Sequence, residues 1–544
     1  MKGSRSLSPI LSRKRLLLAA VILASMAQTP SSLAQDIDAL KTELESNIDD
    51  RAKLVQEMVD SIFSFAEPGF QEFETSAYIT GILEENGFEI EMGIAGIPTA
   101  WTAVWANGDG PTIGLGSDID ALLGLSQLPG SSEIQPLVIG APGHGEGHNS
   151  GMPAMVAAAL AVKDLMTEHD IKGRLKVWPG VAEELLATKA YYVRDGVFDD
   201  VDANIFTHVG NRLGTSWGAT GGSGMVSVEY SFHGKTSHAA GAPWAGRSAL
   251  DGVELMNYAW NMRREHLPLS QRSHYIISNG GGQPNIVPDE AAVWYYFRDL
   301  TFESVRELFD IGNTISEAAA IGTGTTVTRR VLGYAAPQHG NKPMAEAANE
   351  NIKRVGMPRW SEDDMKFARQ VQERNTTSFV DYMNGGEAPL NTEVSELSSP
   401  ETRGPATGGP SDDIGDIMWT VPTITIGYPS NIPRTTFHHV TAAMGMATPI
   451  AHKGAVAGAK AVGMTVLDLL TDPTLIPKAK DYFENVQLNG TSYAPVLTAA
   501  DQPAIDLNSE VMEKMRPQMR EYYYDPSRYD SYLEQLGIDY PPEQ

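Results

Sequence analysis

Cysteine is absent from the 544-residue chain. No disulfide can staple it, so stability must come from size and packing. Any transition-metal site must be built from His, Asp and Glu without thiolate. Basic residues are scarce as well: 41 Lys and Arg stand against 68 Asp and Glu, a formal net charge of −27 at pH 7. Phosphate binding needs clustered Lys and Arg, so nucleic acid and anionic membrane surfaces are excluded as partners. Long apolar runs are missing beyond the N-terminus, and no later segment is expected to span a membrane. What the chain does have is 42% hydrophobic residues, enough for real cores. Its length calls for two or more of them.

The N-terminus reads as an address. Arg13-Lys14-Arg15 precede the apolar run Leu16 to Met26, and Ser32-Leu33-Ala34 follows. Basic, apolar, then small-x-small is the pattern of a secretory signal, with cleavage expected after Ala34. Its loss removes five basic and no acidic residues, taking the charge from −27 to −32. The remainder is expected to be periplasmic or secreted, with no membrane contact after cleavage.

Residues 36–66 have helical spacing. Thr112 to Gly116 and Arg174 to Trp178 read as short buried strands, and Met152 to Met166 between them as an Ala-rich helix with almost no charge. Strand, loop, helix, strand is the rhythm of an α/β domain, where ligands sit beyond the carboxyl ends of the strands. The texture changes near residue 225: Met225 to Phe232 and Ala292 to Phe297 alternate strictly, with a helix over Ser248 to Arg264 between them. A second helix over Phe302 to Ile321 and a strand from Thr325 to Leu332 complete a smaller β-α-β-α-β unit. The assignment is signal 1–34, an α/β domain over 36–224 and 336–485, an inserted α+β domain over 225–335, and a partly helical extension over 486–544.

Polar residues gather at the ends of these strands. Asp118 and Asp120 lie two apart and suit a metal, its ligands' supports, a turn or a helix cap. His144-Gly-Glu146-Gly-His148-Asn149 runs straight into the Ala-rich helix, its glycines letting ligand side chains converge. Glu183 and Glu184 leave a strand side by side, so that one carboxylate binds metal and its neighbour serves as general base. His208 closes another strand. His238, Asn285 and Arg298 belong to the alternating unit, and His438-His439 with Ser411-Asp412-Asp413 lie downstream. Together they fit a hydrolytic metal site: open coordination, a carboxylate base and oxyanion donors.

These stretches carry a resemblance: Asp118-Ile-Asp-Ala-Leu122, Gly143 to Asn149, Pro179 to Glu184, Gly234 to Ala240 with Ala242 to Leu250, Pro284 to Pro288, and Ile450 to Gly454, all in order. The chain resembles the M20 family of metallopeptidases and amidohydrolases, in the branch of p-aminobenzoyl-glutamate, hippurate and auxin-conjugate hydrolases. The resemblance implies a catalytic α/β domain with an inserted lid that dimerises, and two divalent ions, zinc or manganese. Glu146, His148, Glu184, His208 and His438 match the metal positions, with His439 the alternative to His438. Glu183 matches the general base toward a metal-activated water. His238 matches an oxyanion donor acting across a homodimer, Asn285 matches a lid residue that reaches the substrate, and Arg298 is a further candidate for substrate binding. The implied reaction is hydrolysis of an N-acyl or N-aroyl amino acid, such as an aroyl-glutamate. A dipeptidase or carboxypeptidase on the same scaffold is the alternative in chemistry, and a non-catalytic periplasmic binding protein with a degenerate metal site is the alternative in class. Two departures stand out: Glu146 replaces the branch's usual Cys, and Leu123 its usual Pro.

Overall fold

The computed structural model describes residues 30–219, 222–375, 389–403 and 408–543. The basic and apolar parts of the signal-like segment lie outside them. Two sheets organise the chain. The larger is formed by β1 (Glu89–Met92), β2 (Trp101–Ala106), β3 (Thr112–Asp118), β4 (Arg174–Gly180), β5 (Ala203–Gly210), β6 (Gly214–Thr215) and β13 (Thr423–Pro429), in the order β1-β2-β4-β3-β5-β13-β6. The strands β4, β3, β5 and β13 run parallel. Because β3 sends its next strands to opposite sides, its carboxyl end opens onto the crevice where doubly wound sheets bind ligands.

The central strands are buried on both faces, which is why they read as apolar runs. Gly116 is required on β3, since a Cβ there would lie 2.1 Å from the Trp178 ring. Helix Gly151–Glu168 packs on β3 and β4, and its Ala and Met side chains are buried over most of its length. Helix Pro449–Thr471 packs on Gly151–Glu168 and β13. That helix corrects one expectation: it is long and apolar enough to cross a membrane by length and composition, yet most of it is buried against other elements. Its apolar character is that of a core helix flanked on several sides.

The second sheet follows the order β11-β8-β10-β9, all antiparallel: β8 (Gly224–His233), β9 (Arg272–Asn279), β10 (Glu290–Asp299) and β11 (Thr326–Ala335). One face, with Val226, Val228, Tyr230, Phe232, Tyr295 and Phe297, is covered by helices Ala249–Arg264 and Phe302–Thr323. The sequence pattern missed β9. It is an edge strand with almost every side chain exposed, so no apolar alternation marks it.

The C-terminal segment ties both sheets together. Arg306 of the smaller unit donates to the Ala494 and Pro495 carbonyls, and Arg330 pairs with Asp506 at 2.5 Å. Farther on, Arg516 pairs with buried Glu67, and the Tyr532 backbone amide donates to Asp60 at 3.0 Å. The Tyr532 ring is buried 6.1 Å from Phe63, while its hydroxyl has no partner. A two-strand ribbon, β7 (Gly218–Ala219) with β12 (His339–Gly340), sets His339 against Trp419 and 3.3 Å from the Tyr482 hydroxyl. Burial, then Arg403, holds His339 down to about 4.

Two outcomes are expected. Tyr532→Ala should cost about 3 kcal/mol in urea denaturation and expose the tail to limited proteolysis, whereas Tyr532→Phe should be neutral because no hydrogen bond is lost. His339 stays neutral in the folded chain while the unfolded chain takes up a proton below pH 6.5. Its contribution is therefore complete above pH 6.5 and falls as pH drops toward 4, by up to about 1.4 kcal/mol per pH unit. His339→Asn should flatten that part of the acid-denaturation profile.

Candidate metal centre

The carboxyl ends of β3, β4, β5 and β13 deliver the site. Asp118 ends β3 and Asp120 follows it. The segment after β4 carries Glu183 and Glu184, β5 carries His208, and the loop after β13 carries His438. Glu146 and His148 come from the loop that enters helix Gly151–Glu168. Between them Gly147 has φ +123°, and a Cβ there would strike the Met446 sulfur, so only glycine lets both side chains turn inward. Ala182 and Leu186, both at φ +51°, bracket the Glu183-Glu184 pair. Non-glycine residues in this left-handed region are strained and tend to mark functional turns. The strain is held by buried acceptors: Glu72 Oε1 takes the Ala182 amide at 2.8 Å and Asp120 Oδ2 takes the Glu184 amide at 3.0 Å.

The side chains converge. Glu146 lies 2.9 Å from His438 Nε2 and 3.4 Å from His208 Nε2, and Glu184 lies 3.3 Å from His438 Nε2. His148 Nε2 is 3.9 Å from Glu183, buried, and without a hydrogen-bond partner. Its Nδ1 lies 3.3 Å from Asp120, and His208 Nδ1 lies 2.9 Å from the Val209 carbonyl. Both rings thus have one nitrogen anchored and Nε2 left for a ligand. Within this cluster two groups that include histidine place their donor atoms within 4.8 Å of one another: Asp118, His148 and His208, and Glu146, Glu184 and His438. A third, Asp118, Glu183 and Asp412, meets the same distance but already holds a cation. The fully buried Lys189 ammonium lies 2.7 Å from Asp118 and contacts Asp413.

Charge crowding governs ionisation here. Burial, then Asp118 and Asp412, push Glu183 well above the ordinary carboxylate range, with Lys189 opposing. Burial, then Glu146, does the same to Glu184. Burial would raise Glu146 too, but its three histidine neighbours hold it down to about 2. Burial, then Asp120, pushes Glu72 up to about 8.

Not every residue singled out from the sequence joins the cluster. His144 is buried beside Phe63 and reaches the Ile62 carbonyl at 3.1 Å. His439 caps helix Val440–Ala443 by accepting from the Thr441 amide, so of the two downstream histidines His438 faces the donors. His238 and Asn285 are exposed on the smaller unit and do not line the cavity that contains the cluster. Arg298 does: from β10 it borders a cavity of about 1460 Å³ together with Glu146, Glu183, Glu184, His208 and His438. Sequence reasoning missed Arg403 of the same wall, and the fully buried Lys189 and Glu72. Lys189 left one signal, a lone charge in the otherwise uncharged stretch Leu185 to Val193.

Comparison with known proteins fits this architecture. The family model described as Peptidase dimerisation domain matches residues 220–322. The chain is 31% identical over 459 residues to a subunit of the p-aminobenzoyl-glutamate hydrolase of Escherichia coli (strain K12), covering 81% of this chain and 94% of that one. It is 28% identical to the Xaa-Arg dipeptidase of Mus musculus, over 62% of this chain and 76% of that one. The fold is similar to a crystal structure of an aminobenzoyl-glutamate utilization protein from Klebsiella pneumoniae, with a TM-score of 0.54 at 16% identity, covering 78% and 98% of the two chains. With the donor cluster at the strand ends and a matching relative covered almost end to end, the chain belongs to the M20 family of metal-dependent peptidases and amidohydrolases.

Proposed function

We propose that the protein is an exported amidohydrolase that cleaves the amide bond of an N-acyl or N-aroyl amino acid with two divalent ions, zinc or manganese. The observation that carries this reading is the pair of donor groups, each within 4.8 Å, abutting Glu183. Glu146, His148, Glu184, His208 and His438 would hold the ions. Their oxygen and imidazole donors suit zinc or manganese, and the unpartnered His148 Nε2 is a ligand atom without another use. When bound, the ions supply Lewis acidity toward the amide carbonyl and acidify a water. Glu183 accepts the proton of the attacking water and passes it to the leaving nitrogen. Its upward-shifted carboxyl, set by burial and Asp118, suits a group that must both take and give a proton near neutrality.

His238 and Asn285 would complete the site from a second copy. In support, the unpaired edge of β9 exposes Ile276 and Ile277, and helix Ala249–Arg264 exposes Leu255, Tyr258 and Met262 at helical spacing. Arg298 would hold the substrate carboxylate; one of its terminal nitrogens donates to Ser411 at 3.1 Å and its Nε has no partner. Dipeptide cleavage is the second reading, favoured by the likeness to the Xaa-Arg dipeptidase. Arginines on the cavity wall disfavour a cationic residue as the released amino acid.

Glu183→Gln should lower kcat on a panel of N-acyl amino acids by at least about 100-fold while metal analysis finds the ion content unchanged. Equal rates in both proteins would overturn the assignment of the base, and exclusive cleavage of dipeptides would overturn the substrate class. Sedimentation should show a dimer that Ile277→Lys combined with Tyr258→Asp converts to monomer. That monomer should lose activity while keeping its metal.

A further inference from the structure

The cavity that holds the donor cluster is larger than hydrolysis of a small amide requires, and its far wall is polar. Ser216, Gln338, His339, Ser398 and Arg403 border it on the side of β6. Arg403 ends the short helix Pro400–Arg403 and donates to the Trp217 carbonyl, which fixes the side chain against the segment following β6. Ser216 and Ser398 form a bridge beneath it. Arg403 makes no ion pair among the described residues, and its Nε has no hydrogen-bond partner.

Only two guanidiniums among the described residues are shifted below the ordinary arginine value, Arg298 and Arg403, and in both burial is the leading cause. Both border this one cavity. One comes from the smaller sheet and the other from the larger unit, so they approach the cavity from different walls. Each makes one hydrogen bond out of five possible donors. A guanidinium part-buried without a carboxylate is costly unless an anion completes it. Glu146, Glu183, Glu184, Glu303 and Asp412 also line the cavity, yet among the described residues none forms an ion pair with Arg298 or Arg403, which leaves direct pairing of both guanidiniums to the ligand.

Spacing limits what that ligand is. His208 on β5 pairs with Gly427 on β13, and Gly427 pairs with Gly214 on β6. Two strand spacings, roughly 10 Å, therefore separate the His208 backbone from β6, and Arg403 is anchored on Trp217 just beyond the end of that strand. A second anionic group must stand several bonds from the amide to meet Arg403, which favours a side chain of glutamate length over aspartate.

We infer that Arg403 is a specificity-determining residue that binds the side-chain carboxylate of an N-acyl dicarboxylic amino acid of glutamate length, Arg298 taking its other carboxylate. This rests on the amidohydrolase reading above and deepens it. The test compares N-benzoyl-glutamate, N-benzoyl-glutamine and N-benzoyl-aspartate as substrates of the metal-loaded protein. The wild type should favour glutamate over glutamine by at least tenfold in kcat/KM, with aspartate between them. Arg403→Gln should shrink the glutamate-to-glutamine ratio to within about threefold, mainly through KM, and Arg403→Lys should retain part of it. L-Glutamate should raise the melting temperature of the wild type more than L-glutamine does, and this difference should vanish in Arg403→Gln, a readout that needs no turnover. A wild type that hydrolyses none of the three and no other N-acyl amino acid would overturn the amidohydrolase reading itself. Hydrolysis without a preference for glutamate, or a preference that survives Arg403→Gln, would overturn only the role of Arg403.

Discussion

Carboxylates crowd where β3 and β4 end, and the repulsion among them shapes everything nearby. Two like charges 4 Å apart at an effective dielectric near 20 repel by about 4 kcal/mol. Asp118, Asp120, Glu146, Glu183, Glu184 and Asp412 together would be untenable without compensation. The fold supplies it in three ways: imidazoles against Glu146, a lysine ammonium against Asp118 and Asp413, and backbone amides against Asp120. What is left uncompensated lies at the cavity floor, where burial keeps Glu183 and Glu184 from ionising easily. A divalent cation is the one partner that relieves this repulsion and uses the free imidazole nitrogens at the same time.

The same logic explains the strained turns around Glu183. A chain path through two left-handed non-glycine residues survives only where the surroundings over-determine it. Glu72 and Asp120 do this from below, each accepting one amide of the turn, while Gly69 leaves room for Ala182 to pack at close range. Glu183 is thereby presented on a rigid support rather than on a loose loop.

Much of this is readable from residues in order. The α/β rhythm, the buried Ala-rich helix and the alternating strands β8 and β10 follow from period and burial, and the structure has them within a few residues of the boundaries expected. Glu146, His148, Glu184 and His208 announce themselves because glycine-spaced or strand-ending polar groups beside apolar runs have few other uses. The rest is hidden for physical reasons. β9 carries no apolar alternation because most of its side chains are wet, only Ser273 and Tyr275 turning partly inward. The Gly/Ala-rich helix expected over His452 to Leu470 is present as Pro449–Thr471, but its His and Lys residues mask its apolar length, and only packing identifies it as core. Arg403 lies more than two hundred residues from Glu184, in a short helix without periodicity, so its place on the cavity wall depends on tertiary contact alone.

Lys189 gives the site a permanent ion of its own. A chelator strips away divalent metal, but it cannot remove an ammonium tethered to the backbone just beyond the strained turn. Asp118 and Asp413 therefore stay paired, with Asp412 3.7 Å from the same ammonium, whatever the metal supply. Loss of a bound ion would thus leave these innermost acids still paired. The number of exchangeable ions is set by where the chain withholds a lysine as much as by where it places its ligands.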